Sequence, residues 1–127
     1  MSEIKIDASR ALQLLTEVVE EKGEDYIYPL DDGRTQCLYV QDGRPDCLIG
    51  HALVKAGMPV EKLDRLQDVI GSMEISEFYW QVRQRSELSE AMPEITQVAL
   101  DIFEAAQGTQ DNGEPWGVAL ACARGEV

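Results

Sequence analysis

Two cysteines and the chain's single histidine fall between positions 36 and 51, in Gln36-Cys37-Leu38-Tyr39-Val40-Gln41-Asp42-Gly43-Arg44-Pro45-Asp46-Cys47-Leu48-Ile49-Gly50-His51. A thiolate is a nucleophile, and an imidazole can act as its base. Cys47 stands at the start of an apolar helical run, where the helix dipole and free amides stabilise a thiolate and an oxyanion. His51 follows one turn later at i+4, and its side chain can reach back toward Cys47. Asp46 is placed to orient the ring. The competing reading is structural. Cys–His enzymes usually bring the base from a separate element, and a buried cysteine behaves as a small hydrophobe. His51 would then hydrogen-bond a tyrosine or a carboxylate, with Tyr26, Tyr28 and Tyr39 nearby in sequence.

The same residues can be read as metal ligands. Cys37, Cys47 and His51 would supply three, with a fourth from Asp42, Asp46 or Cys122. Cys37 and Cys47 would have to meet across a hairpin, outside the usual close spacing of zinc ligands. No cofactor is implied by any other motif. The chain has no phosphate-cradling glycine loop and no G-x-S-x-G or H-E-x-x-H motif.

The elements that would position these residues follow from apolar periodicity. Ala8, Ala11, Leu12, Leu15, Val18 and Val19 predict an amphipathic helix over 8–22, capped by Asp7 or Ser9 and ended by Gly23. Tyr26-Ile27-Tyr28 reads as a short extended piece. Asp42-Gly43 is a strong two-residue turn signal and predicts a small β-hairpin around residues 36–47. Leu48 to Ala56 is apolar nearly all round, so this helix should be central. A further helix follows Pro59. Residues 75–82 fit a helix through Ile75, Phe78, Tyr79 and Val82, and a strand through Phe78, Trp80 and Val82. Pro93 is expected to open another helix, Gly108 to Gly113 to form a loop, and Pro115-Trp116 to start the last helix. These elements predict one α+β, mainly α domain over 1–127, a compact helical body with the hairpin at one side.

Composition limits what this domain can bind. The chain has 127 residues, 44 % of them apolar, so a folded core is expected. Its formal charge of −13, from 24 acidic and 11 basic residues, argues against direct contact with nucleic-acid phosphates or an anionic membrane. It favours a protein partner with a basic surface, while solubility alone also accounts for it. The helix-turn-helix outline of residues 48–66 is an ordinary helical corner, because Glu61, Asp64 and Asp68 would face phosphates. With no apolar signal core and no span of roughly 18 apolar residues, a cytoplasmic location is expected. Three cysteines at irregular spacing suggest reduced thiols.

Phe78-Tyr79-Trp80, with Arg83 and Arg85, is the interaction candidate, since aromatics and arginine dominate binding hot spots. The alternative is that the aromatics complete the core and the arginines pair with acids. Asp111-Asn112-Gly113-Glu114 lacks the ligand pattern of a calcium loop and reads as a turn before the last helix.

Two patches carry a resemblance. One is Cys37-x-Tyr39-Val40-x-x-Gly43-x-Pro45-x-Cys47-Leu48-Ile49-Gly50-His51-Ala52-Leu53. The other is Ala105-Ala106-Gln107-Gly108-x-Gln110-Asp111-x-Gly113-x-Pro115-Trp116-Gly117-x-Ala119. Both resemble small uncharacterised proteins of actinobacteria and their phages. The resemblance implies a small acidic cytosolic protein and assigns no catalytic residue. The expected function is non-enzymatic binding of a partner protein, as phage accessory proteins do, with a homodimer compatible. The alternative is a small thiol enzyme or metal-binding protein built on Cys37, Cys47 and His51.

Overall fold

In the computed structural model, which describes residues 4–28, 38–71 and 73–125, six helices and two very small sheets form the regular structure. The fold is α+β and mainly α. Helix α1 (Ala8–Lys22) is capped where the Asp7 carboxylate accepts the Arg10 amide at 2.9 Å. It buries Ala11, Leu14, Leu15, Val18 and Val19 against α2 (Leu48–Lys55), α5 (Gln97–Asp111) and α6 (Trp116–Ala123). Leu48, Ile49, Ala52 and Leu53 of α2 are buried, and the helix packs on α1 and α5; the helix that the others gather around is α5, which packs against α1, α2, α6 and the helix at Ile75–Arg83.

The hairpin forms around Asp42-Gly43, with β2 (Val40–Gln41) antiparallel to β3 (Arg44–Pro45). Asp42 and Gly43 have φ of 55° and 74°. Positive φ at both central positions is the twist that joins two strands tightly. The pairing continues past the strands, with the Asp46 amide donating to the Tyr39 carbonyl and the Cys47 amide to the Leu38 carbonyl. Positions 36 and 37 of the expected hairpin lie outside the described residues. Tyr26–Tyr28 form no strand; the Tyr26 carbonyl instead accepts the Trp116 amide at 2.8 Å.

Residues 75–82 resolve as helix. In α4 (Ile75–Arg83), Ile75, Phe78, Tyr79 and Val82 are buried, whereas Trp80 is exposed. The helical period wins because only it puts all four apolar side chains on one face. Helix α3 (Val60–Ile70) precedes it and buries Leu63 and Leu66. Helix α4 runs antiparallel along α5: the Ile75 amide donates to Gln107 Oε1 at 2.8 Å, and the Ile95 amide to the Tyr79 hydroxyl at 3.2 Å.

Two expectations are corrected. Pro93 does not open a helix. It precedes β4 (Glu94–Ile95), which pairs in parallel with β1 (Lys5–Ile6), and Thr96 then caps α5. Nor does a loop begin at Gly108, since α5 continues to Asp111. A helical glycine costs about 1 kcal/mol. Carrying the helix past Gly108 places Gln110 where its Oε1 accepts the buried Leu48 amide, which offsets that cost. Among the described residues no helix is long and apolar enough to cross a membrane.

Candidate functional site

The Asp46–Cys47–His51 segment is held together mainly by main-chain hydrogen bonds. Cys47 is 0 % exposed and sits at the N-cap of α2, giving no side-chain cap. His51 is half-buried, and its Nδ1 lies 2.9 Å from the Cys47 carbonyl. That contact makes Nδ1 the protonated nitrogen. Burial lowers the His51 pKa below its ordinary 6.5, with the nearby Lys22 charge acting in the same direction; the Cys47 carbonyl, Asp46 and Glu21 oppose the shift. The imidazole is therefore neutral at pH 7 and packs edge-on to Trp116 with ring centres 5.6 Å apart.

Asp46 turns to a tyrosine. The Tyr28 hydroxyl donates to Asp46 Oδ2 and accepts the Leu38 amide at 3.2 Å. Burial and that carboxylate hold the Tyr28 hydroxyl well above its ordinary pKa of 10.0, so it stays protonated. Tyr26 stacks edge-on to Trp116 with 4.6 Å between ring centres. Asp46 thus anchors Tyr28, and His51 anchors to main chain. Cys37 lies outside the described residues. Among the described residues no group of three or more His, Cys, Asp or Glu side chains is placed to hold a metal ion.

The two sequence patches meet in space. Gln110 Oε1 accepts the Leu48 amide at 2.8 Å, supplying the helix cap that Cys47 does not. Gln107 Nε2 donates to the Tyr39 hydroxyl at 3.1 Å, and Tyr39 donates in turn to the Met73 carbonyl. Gln67 Oε1 accepts the Tyr39 amide at 2.6 Å while its Nε2 donates to the Val40 carbonyl at 2.9 Å. These glutamines escape sequence reasoning because nothing in their local pattern marks them as core. Gly50 allows the closest approach: a Cβ there would lie 2.1 Å from the Tyr39 carbonyl oxygen.

The interaction candidate divides. Phe78 is 0 % and Tyr79 3 % exposed, and the Tyr79 hydroxyl is engaged by the Ile95 amide. Trp80 is 49 % exposed. The Arg83 guanidinium lies over the Tyr79 ring at 5.7 Å, and Arg85, just beyond α4, is exposed. The segment therefore contributes two aromatics to the core and one to the surface.

A concavity of about 440 Å³ opens where α4 begins beside α5, lined by Glu74, Asp101, Glu104, Gly108 and Asp111 among others. None of these four carboxylates makes an ion pair among the described residues, whereas Glu21 and Glu17 pair with Lys55 at 2.8 and 4.0 Å. Burial raises the Glu104 pKa above its ordinary 4.5; the Glu74 and Asp101 charges add to this, and the neighbouring Ser76 hydroxyl opposes it. The Ser76 Oγ is buried beside this carboxylate without forming a hydrogen bond of good geometry. Burial also raises Asp111, helped by Glu74 and opposed by Gln110, whose Nε2 donates to it at 3.0 Å. Asp101, Glu104, Gly108 and Asp111 recur at three- and four-residue spacing and so form one stripe of α5. Their spacing is visible in the sequence; their convergence with Glu74 is not.

No protein-family model matches the chain, and neither does any curated protein or solved structure.

Proposed function

We propose that this chain is a non-enzymatic, acidic, cytoplasmic binding protein that engages a partner protein through that partner's basic surface. The observation that carries this reading is the concavity ringed by Glu74, Asp101, Glu104 and Asp111, carboxylates without an ion-paired cation among the described residues in a chain of net charge −13. Like charges held together repel, and the raised pKa values of Glu104 and Asp111 record part of that cost together with burial. A cation from a partner would relieve it, and the surrounding negative field would speed the encounter. The resemblance to small actinobacterial and phage proteins belongs to the same proposal, with a host protein as the target. The thiol reading receives less support. Cys47 is wholly buried, and its carbonyl is what holds His51.

The test is capture of partners from native-host lysate by tagged protein at low and high salt, read by mass spectrometry. One stoichiometric partner with a basic surface, weakened by salt, is the expected result. Capture of none at either salt would overturn the proposal and turn attention to thiol reactivity and metal content.

A further inference from the structure

Asn112 is the chain's only asparagine, and a glycine follows it. That pair carries a chemistry of its own. The Gly113 main-chain nitrogen can give up its proton and attack Cγ of the Asn112 side chain. A C–N bond forms, the Cγ–Nδ2 bond breaks, and Nδ2 leaves as ammonia with the proton that Gly113 lost. The product is a five-membered succinimide. Water then adds to one of its two carbonyl carbons and breaks the C–N bond there, leaving aspartate or isoaspartate. Nothing is oxidised or reduced. Glycine hinders the attack least, because it has no Cβ beside the attacking nitrogen.

The fold puts this pair in solvent but not in the attacking geometry. Asn112, Gly113 and Glu114 are exposed in the turn between α5 and α6. Ring closure needs the Gly113 nitrogen nearly eclipsed with Asn112 Cβ. At the observed Asn112 ψ of 5° it is instead nearly eclipsed with the nitrogen of Asn112 itself. The Gly113 amide also donates to the Gln110 carbonyl at 2.9 Å, so its hydrogen is engaged. The Asn112 amide is held by the Gly108 and Thr109 carbonyls, each at 3.2 Å. Gln110 is anchored in turn: it is 0 % exposed, and its Oε1 accepts the Leu48 amide at 2.8 Å. The last turn of α5 is thereby pinned to the start of α2, and the Asn112–Gly113 turn hangs from it.

We propose that Asn112 is a deamidation site that the fold holds latent, with the anchored last turn of α5 as its gate. Reaction requires Gly113 to leave the Gln110 carbonyl and the Asn112 ψ to rotate, a local opening that the rest of the molecule need not share. Deamidation adds one negative charge to a chain already at −13, next to Asp111. The isoaspartate product also inserts a methylene into the main chain between α5 and α6, two helices that pack on each other. The modification is one-way and alters the joint from which α6 starts. Gln107-Gly108 is the glutamine counterpart, but it would have to close a six-membered ring and lies inside α5. None of this depends on what the acidic surface binds.

The test incubates the whole protein at mildly alkaline pH, folded and in unfolding urea. Intact mass follows the reaction, peptide mapping locates it, and enzymatic methylation detects isoaspartate. The unfolded chain is expected to deamidate at Asn112 about tenfold or more faster than the folded protein, because reaction through an opened state scales with that state's population. Gln110→Ala is expected to move the folded rate toward the unfolded one, with exchange of the Gly113 amide hydrogen accelerated in parallel. Equal rates with and without urea would overturn the gate, and an unreactive unfolded chain would overturn the site. A folded Gln110→Ala that deamidates no faster than the wild type would show that the anchor is not the gate. If that variant does not fold, amide exchange in the wild type decides instead. A Gly113 amide exchanging as fast as an unfolded one leaves no gate, and a protected one supports it.

Discussion

The Tyr28–Asp46–His51–Trp116 region and the α4/α5 groove contain similar residue types arranged to opposite ends. In the first, polar groups find partners within the molecule: Asp46 accepts from Tyr28, His51 meets the Cys47 carbonyl, and Gln110 accepts the Leu48 amide. In the second, four carboxylates line a concavity without an ion-paired cation among the described residues. A polar group satisfied inside the fold has little left to offer a ligand. The region richest in reactive residue types is therefore the better scaffold, and the plainer groove is the better candidate surface.

The comparison can be broken most severely at Gly50. Gly50→Ala would put a Cβ 2.1 Å from the Tyr39 carbonyl, so α2 or the hairpin must move. The expected loss is about 3 kcal/mol, well above the helix-propensity gain of alanine. Chemical denaturation measures it, and an unchanged midpoint would mean that the close approach is not tight in solution. Next comes Gln110→Ala, which leaves the Leu48 amide buried without its acceptor. A loss of roughly 1–3 kcal/mol is expected. A loss near zero would mean that water replaces the amide.

The pH dependence of stability sharpens the contrast, because the two regions carry opposite signs. The folded pKa of His51 is depressed, so the unfolded chain takes up its proton first. Its contribution is intact above pH 6.5 and is lost as pH falls from there toward the lower folded pKa. Glu104 and Asp111 have raised folded pKa values. Their charge is tolerated better in the unfolded chain, so they favour folding at low pH and disfavour it as pH rises from about their ordinary values through their folded ones. His51→Gln is expected to remove the loss below pH 6.5, and a pH profile identical to the wild type's would count against the buried neutral ring. The smallest effect is Glu104→Gln, expected to raise stability at pH 7 by less than about 1 kcal/mol, since the group is partly exposed and screened. A destabilised variant would mean that the carboxylate serves the fold.

Much of the fold was legible because periodicity and turn chemistry are local. The first helix is expected and found at 8–22, and the Asp42-Gly43 turn joins a hairpin. What was not legible depends on partners far along the chain. Pro93 read as a helix start because its pairing strand lies at Lys5–Ile6. Gly108 read as a break because the buried bonds of Gln107 and Gln110 join them to Ile75, Tyr39 and Leu48. For the candidate sites, sequence placed Asp46, Cys47 and His51 together but not the direction of their hydrogen bonds. It gathered Phe78, Tyr79 and Trp80 into one patch that the helical period divides between core and surface.

The parallel pairing of Lys5–Ile6 with Glu94–Ile95 also bears on the order in which the molecule is built. The Ile4 and Ile6 carbonyls accept the Glu94 and Thr96 amides, so this short parallel ladder closes a loop spanning most of the described chain. Closing such a loop costs entropy before it returns any contact, while helices and the hairpin form from neighbours. This seam should therefore close late, after α1 and α5 have met. Conservative substitutions at Ile6 or Ile95 would then leave the refolding rate nearly unchanged and appear almost wholly as faster unfolding.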